Sequence, residues 1–254
     1  MDKHAIRETV WDAFDADGIA RFPFPPHGRI PNFAGADDAS TRLTETREWD
    51  AADVVKCNPD APQLPVRRAA LRAGKTVYVA QPRLRDPNPF LRLDPAAIDD
   101  VDAATTVSGI GEYGQPVAPD AVSHVDLVVS GSVAVTTAGI RIGKGEGYSD
   151  LEWGMLCEFA AVDKTTTVAT TVHEAAILDG PASPLGTGDS TDTVASGALT
   201  PEPHDVPIDV IVTPERTIRT ETTYSRPTGV EWDRLDAERL AEMPVLQRLA
   251  PADE

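Results

Sequence analysis

The sequence predicts a layered α/β domain, and three observations carry the prediction. From Asp50 onward, short apolar runs of strand character alternate with segments of helical spacing, the order that sets helices against a sheet. Gly74 and Ser130-Gly131 punctuate that alternation where one element must stop before the next begins. The 254 residues are 41% apolar, which supplies a core for one large domain, and neither an internal repeat nor a linker calls for a second. The expectation is one domain over residues 1–254, with a Pro/Gly-rich wrapping loop near 21–40 and a short C-terminal helical tail.

The first helix is expected from Asp2 to Ala16, because Ile6, Val10 and Phe14 recur every four residues and Asp17-Gly18 closes the run. Lys3 and Arg7 share that spacing, so one helix face presents both charges beside the apolar stripe. RFPFPPHGRIPNFAGADDAS then reads as a loop without regular structure, pinned by Phe22, Phe24, Ile30 and Phe33. DVVKC is a strand, PQLPVRRAALRAG a helix with a glycine stop, and KTVYVA the next strand. DVDAATTV follows, then SHVDLVVSGSVAVTTAG, with two apolar strands separated by Ser130-Gly131. SDLEWGMLCEFAAV is a helix in which Ser149 as cap and Glu152 three residues later have the capping-box spacing. TTTVATTV is a strand, DGPASPLGTGDSTDTVASG a flexible loop, and DVIVTPERTIRTET a hairpin turning at Pro214-Glu215. From Trp232 a helix leads into a polar end.

Composition narrows the function. Forty-one acidic residues against 23 basic ones leave a net charge of −18, which repels nucleic-acid phosphates and disfavours general RNA or DNA binding. Only five basic residues are lysines (Lys3, Lys56, Lys75, Lys144, Lys164), and an acidic, lysine-poor surface of this kind suits a protein of a salt-loving organism. No apolar run approaches the roughly 18 residues of a membrane span, and MDKHAIRETVWDAF lacks the apolar core of a secretory signal, so the expected location is the cytoplasm. Cys57 and Cys157 sit in apolar segments and read as small buried hydrophobes; CxxC, HExxH and zinc-type histidine spacing are absent.

The chemistry concentrates in RIGKGEGYSD. Gly143, Gly145 and Gly147 alternate, which permits unusual backbone angles and lets successive amide N–H groups converge on an anion. Arg141 and Lys144 add positive charge, and the helix expected just after the loop brings its amino end to the same place. Asp150 stands in that helix's first turn, where a carboxylate can hold a divalent ion against phosphates. The loop is neither GxxxxGK[ST] nor GxGxxG, so on residues alone a phosphate cradle and a tight turn both remain open. Asn58, Asp60 and Gln63, between a strand end and a helix start, are where α/β folds place ligands.

DLVVSGSVAVTTAGIRIGKGEGYSD followed by PEPHDVPIDVIVT resembles the 5-formyltetrahydrofolate cyclo-ligase (methenyltetrahydrofolate synthetase) family. That family carries an Arg-x-Gly-basic-Gly-x-Gly-Tyr-Tyr-Asp loop after a strand hairpin, a later His-Asp pair, and an amino-terminal helix with Lys and Arg four apart. GRIPNF and VKCNPDAPQ look like its archaeal, synthetase-domain-containing branch. The resemblance implies a three-layer α/β/α sandwich with a mostly parallel central sheet. It implies ATP- and Mg2+-dependent closure of 5-formyltetrahydrofolate to 5,10-methenyltetrahydrofolate with release of ADP and phosphate. Carried onto this chain, Lys3 and Arg7 would touch ATP phosphates, while Arg141, Gly143, Lys144, Gly145 and Gly147 would form the cradle. Tyr148 would border nucleotide or substrate, and Asp150 with Asp205 would organise magnesium. Lys144, Arg141 and Tyr148 would act nearest the chemistry, on a small folate-like substrate. Two positions depart from the pattern: Ser149 replaces the second tyrosine, and Glu146 stands where a lysine is frequent. Both bear on the folate more than on the nucleotide. A binding homologue without catalysis, or an enzyme acting on another formamide or amide, shares the same loop.

Overall fold

A computed structural model describes residues 2–185 and 199–250; most of the loop expected over 179–197 and the polar end beyond residue 250 lie outside the described residues. The first helix, α1 (Lys3–Ala16), starts where Asp2 accepts the Ala5 N–H at 2.8 Å and buries Ile6, Val10, Trp11 and Phe14. A short antiparallel pair, β1 (Ala20–Arg21) and β2 (Asn32–Phe33), follows, then α2 (Ala36–Thr44) and α3 (Arg47–Asp50). β3 (Val54–Cys57), α4 (Leu64–Arg72) and β4 (Thr76–Ala80) form a parallel unit whose strands pair from Val54↔Thr76 to Cys57↔Val79.

Next come β5 (Phe90–Leu93), α5 (Val101–Ala104), α6 (Val107–Tyr113), β6 (Gln115–Val117) and β7 (Leu127–Val129). β8 (Ala134–Val135) and β9 (Arg141–Ile142) make a separate two-stranded hairpin ahead of α7 (Tyr148–Glu158). β10 (Thr167–Thr171), β11 (Val210–Val212) and β12 (Thr217–Arg219) complete the strands; α8 (Ala237–Glu242) and α9 (Pro244–Leu249) end the described chain. Among the described residues no helix is long and apolar enough to cross a membrane.

The main sheet runs β12-β11-β10-β7-β3-β4-β5-β6. The five strands from β11 to β4 are parallel, and β12, β5 and β6 are antiparallel edge additions. Period-two alternation sends side chains to both faces. Val77 and Val79 pack with Val66, Ala70 and Leu71 of α4 and Trp49 of α3. Tyr78, Val128 and Ile211 face α1 and α7 through Phe14, Trp153 and Met155. Helices therefore cover both faces, as the sequence predicts.

The order has a functional consequence. After β3 the chain builds β4 on one side, then returns to add β7 on the other, so the connections diverge between β3 and β7. Open α/β sheets take ligands at the carboxyl ends of such a pair. Here those ends are Asn58–Asp60 and Ser130–Gly131.

Several expectations need correction. Residues 21–40 are not free of regular structure, because β1, β2 and the start of α2 fall there, and only Ile30 and Phe33 act as pins. Phe22 and Phe24 are 78% and 58% exposed. α2 escapes a sequence reading because Asp, Ser and Thr dilute its helix propensity; its spacing of Ala36, Ala39 and Leu43 decides through burial. DVDAATTV, for which the sequence suggests no element, holds α5 and leads into α6, with Asp100 and Thr106 accepting the Ala103 and Gly109 N–H groups. VAV joins the small hairpin with β9 rather than the main sheet. The capping box is absent: α7 starts at Tyr148 from Gly147, which has φ 71° and gives no side-chain cap. The Ser149 hydroxyl instead meets that of Ser130 at 3.0 Å, and Glu152 pairs with Lys56.

Candidate active site

A cavity of about 480 Å³ opens at the divergence of β3 and β7. Its walls come from α1, the loop after β3, the turn 143–147, the first turn of α7, and residues 202–205. Lys3, Arg7, Arg141, Gly143, Lys144, Gly145, Gly147, Tyr148, Asp150 and Asp205, scattered over 200 positions of sequence, all border it. Asn58 and Asp60 also line it, whereas Gln63 lies behind, its Oε1 accepting the Asn58 N–H at 2.7 Å. Asn58 Oδ1 in turn accepts the Gly131 N–H at 2.9 Å, tying the two strand ends together.

The glycine turn is shaped by contacts that leave no room for side chains. Gly145 has φ 106° and an added Cβ would lie 3.3 Å from Arg7 Cζ; Gly147, at φ 71°, would meet Arg239 Nη2 at 3.3 Å. Among the described residues, the amide N–H groups from Gly143 to Gly147 donate to no protein acceptor. Unpaired amides beside a helix start form an anion-receptive surface.

Five cations surround that surface. Arg7 Nε donates to the Gly143 carbonyl at 2.6 Å and Arg7 forms no ion pair among the described residues. Burial lowers its pKa, and the like charge of Arg141 lowers it further, so Arg7 is held where an anion would relieve it. Arg141 is 8% exposed and grips both Asp150 oxygens, at 2.8 and 2.7 Å, while its Nη1 donates to the Gly131 carbonyl at 3.0 Å. Burial works against its charge, but Asp150 prevails and raises its pKa. Lys3 pairs with Asp205 at 2.6 Å and Lys144 with Glu146 at 2.7 Å. The Arg239 guanidinium lies over the Tyr148 ring at 5.6 Å.

These pairings test the fit of a metal. Asp150 Oδ1 also accepts the Val206 N–H at 3.2 Å, so both its oxygens are taken. Asp205 Oδ2 accepts from Lys3 and from the Glu202 N–H at 2.9 Å, leaving Oδ1 without a hydrogen bond. Among the described residues no group of three or more His, Cys, Asp or Glu forms a metal cage. The donor set suits an anion, not a protein-held cation.

Two features are absent from the sequence reading. Lys56, 1% exposed, makes a short ion pair with Glu152, 4% exposed, and Glu152 reaches the cavity wall. Arg67 is fully buried and donates to the carbonyls of Asn58, Asp60 and Thr105, fixing the loop after β3; burial pushes its pKa down to about 10. Asp60 has its pKa raised by burial, with Lys144 and Arg67 pulling the other way. The cysteines are inert as expected from their settings, since burial pushes both thiols up to about 11. Cys157 is only partly buried, less than the sequence suggests.

With this geometry in view, the comparison with known proteins is decisive. The model of the 5-formyltetrahydrofolate cyclo-ligase family matches residues 24–214. The chain belongs to that family. It is 40% identical to the mouse methenyltetrahydrofolate synthase domain-containing protein over 98% of this chain and 63% of that protein. It is 36% identical to the human protein of the same name, over 98% of this chain and 61% of that one. The chain thus spans little more than three-fifths of the length of these relatives, which are animal proteins and carry no sign of an archaeal branch. The solved structure of Aquifex aeolicus 5,10-methenyltetrahydrofolate synthetase superposes with a TM-score of 0.52 at 16% identity, covering 89% of this chain and 96% of that one. That likeness bears on the fold alone. The family match excludes α1, which nonetheless delivers Lys3 and Arg7 to the cavity.

Proposed function

We propose that this cyclo-ligase homologue is an ATP-dependent ring-closing C–N ligase acting on 5-formyltetrahydrofolate or a close relative. The observation that carries the reading is Arg7, a half-buried guanidinium with no ion-pair partner among the described residues, set against the amides of 143–147, which donate to no acceptor among them. This is a site prepared for a polyphosphate, and it supports ATP as the co-substrate.

In the reaction, the formyl oxygen takes the γ-phosphoryl group and ADP leaves; N10 then bonds the formyl carbon, loses its proton, and phosphate departs with the former formyl oxygen. The protein's task is to hold two substrates and spread negative charge. Lys3, Arg7 and Lys144 neutralise phosphate oxygens, and the amides of the glycine turn take the rest. Asp150 fixes Arg141, whose buried fork in turn holds the Gly131 carbonyl and the base of the turn. Tyr148 borders the space between nucleotide and folate. Magnesium would enter with the nucleotide and offset phosphate charge, and Asp205 is the side chain that would help to hold it. A salt-loving setting is inferred from the −18 charge and the scarcity of lysine.

A second reading, turnover of a different formamide, draws on Glu146, whose carboxylate neutralises Lys144 at 2.7 Å. The test is methenyltetrahydrofolate formation followed by absorbance in high salt, with Mg-ATP and 5-formyltetrahydrofolate. Product that requires ATP and collapses in Lys144→Ala and Arg7→Ala supports the ligase. A folded protein that binds ADP yet makes no product rejects the folate substrate and favours the second reading.

A further inference from the structure

The segment 231–239 lies beyond the family-matched residues, yet it grips the phosphate turn from outside. Arg239 forms no ion pair among the described residues, so its charge is spent on the turn. Its guanidinium donates to the Glu146 carbonyl, in the middle of the glycine turn, and stacks on Tyr148 at 5.6 Å. Asp236 Oδ1 accepts the Arg239 N–H at 2.7 Å and so fixes the stem of this arm. Arg234 holds Glu202 at 2.7 Å, and the Glu202 N–H donates to Asp205, the partner of Lys3. One short segment therefore touches both halves of the cavity rim. Between it and α7 lies a second cavity of about 210 Å³, which shares Gly147, Asp150, Glu202 and His204 with the first.

We propose that residues 231–239 are a clamp that holds the glycine turn in its anion-receptive shape, with Arg239 as its positioning residue. The clamp's seating and nucleotide binding are then thermodynamically coupled. The inference rests on reading 143–147 as a nucleotide-phosphate site. Its physical basis is the planar trans peptide: the Glu146 carbonyl and the Gly147 N–H point in opposite directions. Drawing that oxygen to Arg239 turns the following amide away from Arg239, and stacking on Tyr148 fixes the residue that begins α7. Glycine at 147 suits its φ of 71°, and the Arg239 guanidinium lies 3.3 Å from where a Cβ would stand, so the arm packs closely on the turn. By linkage, whatever seats the clamp tightens the nucleotide, and nucleotide tightens the clamp equally.

The test uses the whole chain and ADP as probe. Arg239→Ala should weaken ADP binding on the order of tenfold, and Arg239→Lys should recover only part, because an ammonium lacks the planar fork. Hydrogen exchange gives the readout that mere stability would not move. Amides of 143–148 should exchange faster in ligand-free Arg239→Ala while the sheet strands stay protected, and ADP should slow exchange in 237–242 of the wild type. Wild-type ADP affinity in Arg239→Ala, with unchanged exchange in 143–148, overturns the clamp. If the wild type binds no ADP, the nucleotide reading falls, and the ligand-free exchange comparison alone decides the clamp.

Discussion

Lys56→Met should destabilise the protein far more than removal of both members of its ion pair. Lys56 and Glu152 are 1% and 4% exposed, and among the described residues the only other hydrogen-bond donor to the Glu152 carboxylate is Asn58 Nδ2, at 3.4 Å. Taking away the ammonium strands a carboxylate in a low-dielectric setting, a loss of about 3–5 kcal/mol for a buried pair. For a chain of this length each kcal/mol shifts the melting temperature by about 2–4 °C, so a fall of roughly 6–20 °C is expected. Lys56→Met combined with Glu152→Gln removes both charges at nearly constant volume and should recover most of it. Thermal melts of the three proteins at pH 7 decide it. A double variant as unstable as the single, or a single variant within about 1 kcal/mol of wild type, would refute the ion-pair account.

Two further outcomes follow from charge. Asp60→Asn should melt higher than wild type at pH 7, because burial raises the Asp60 pKa in the fold. The penalty is absent below the unfolded value and grows as pH rises through the folded one, so the advantage should vanish near pH 4; an Asp60→Asn melt no higher at pH 7 contradicts this. The −18 charge predicts a urea midpoint that climbs steeply as KCl rises from about 0.1 M to about 1 M, while the screening length falls from roughly 10 Å to roughly 3 Å. A flat or falling midpoint would remove the case for a salt-loving protein.

What the sequence displayed was local. The glycine turn, its two cations and Asp150 stand within ten positions, and the four-residue spacing of Lys3 and Arg7 put both on one face of α1. The parallel strands were visible as apolar runs, and the hairpin turning at Pro214-Glu215 stands as expected. The missed features depend on distance. Glu152 had the spacing of a capping residue, but Gly147 can start α7 without one, which freed Glu152 for Lys56, 96 positions away. The one sequence clue was a lysine inside the apolar run DVVKC. Arg239 left no trace at all, since nothing near it marks a partner 93 positions earlier. β5 and β6 are short strands of four and three residues at one end of the sheet, and tertiary pairing rather than pattern makes them strands.

The central claim is that the formyl oxygen is phosphorylated and leaves with phosphate. The most direct measurement supplies 5-formyltetrahydrofolate carrying oxygen-18 in the formyl group, with Mg-ATP, and weighs the inorganic phosphate by mass spectrometry. The account predicts one oxygen-18 in each phosphate, formed in step with the methenyl product. Unlabelled phosphate, released by water attacking ATP, would contradict it.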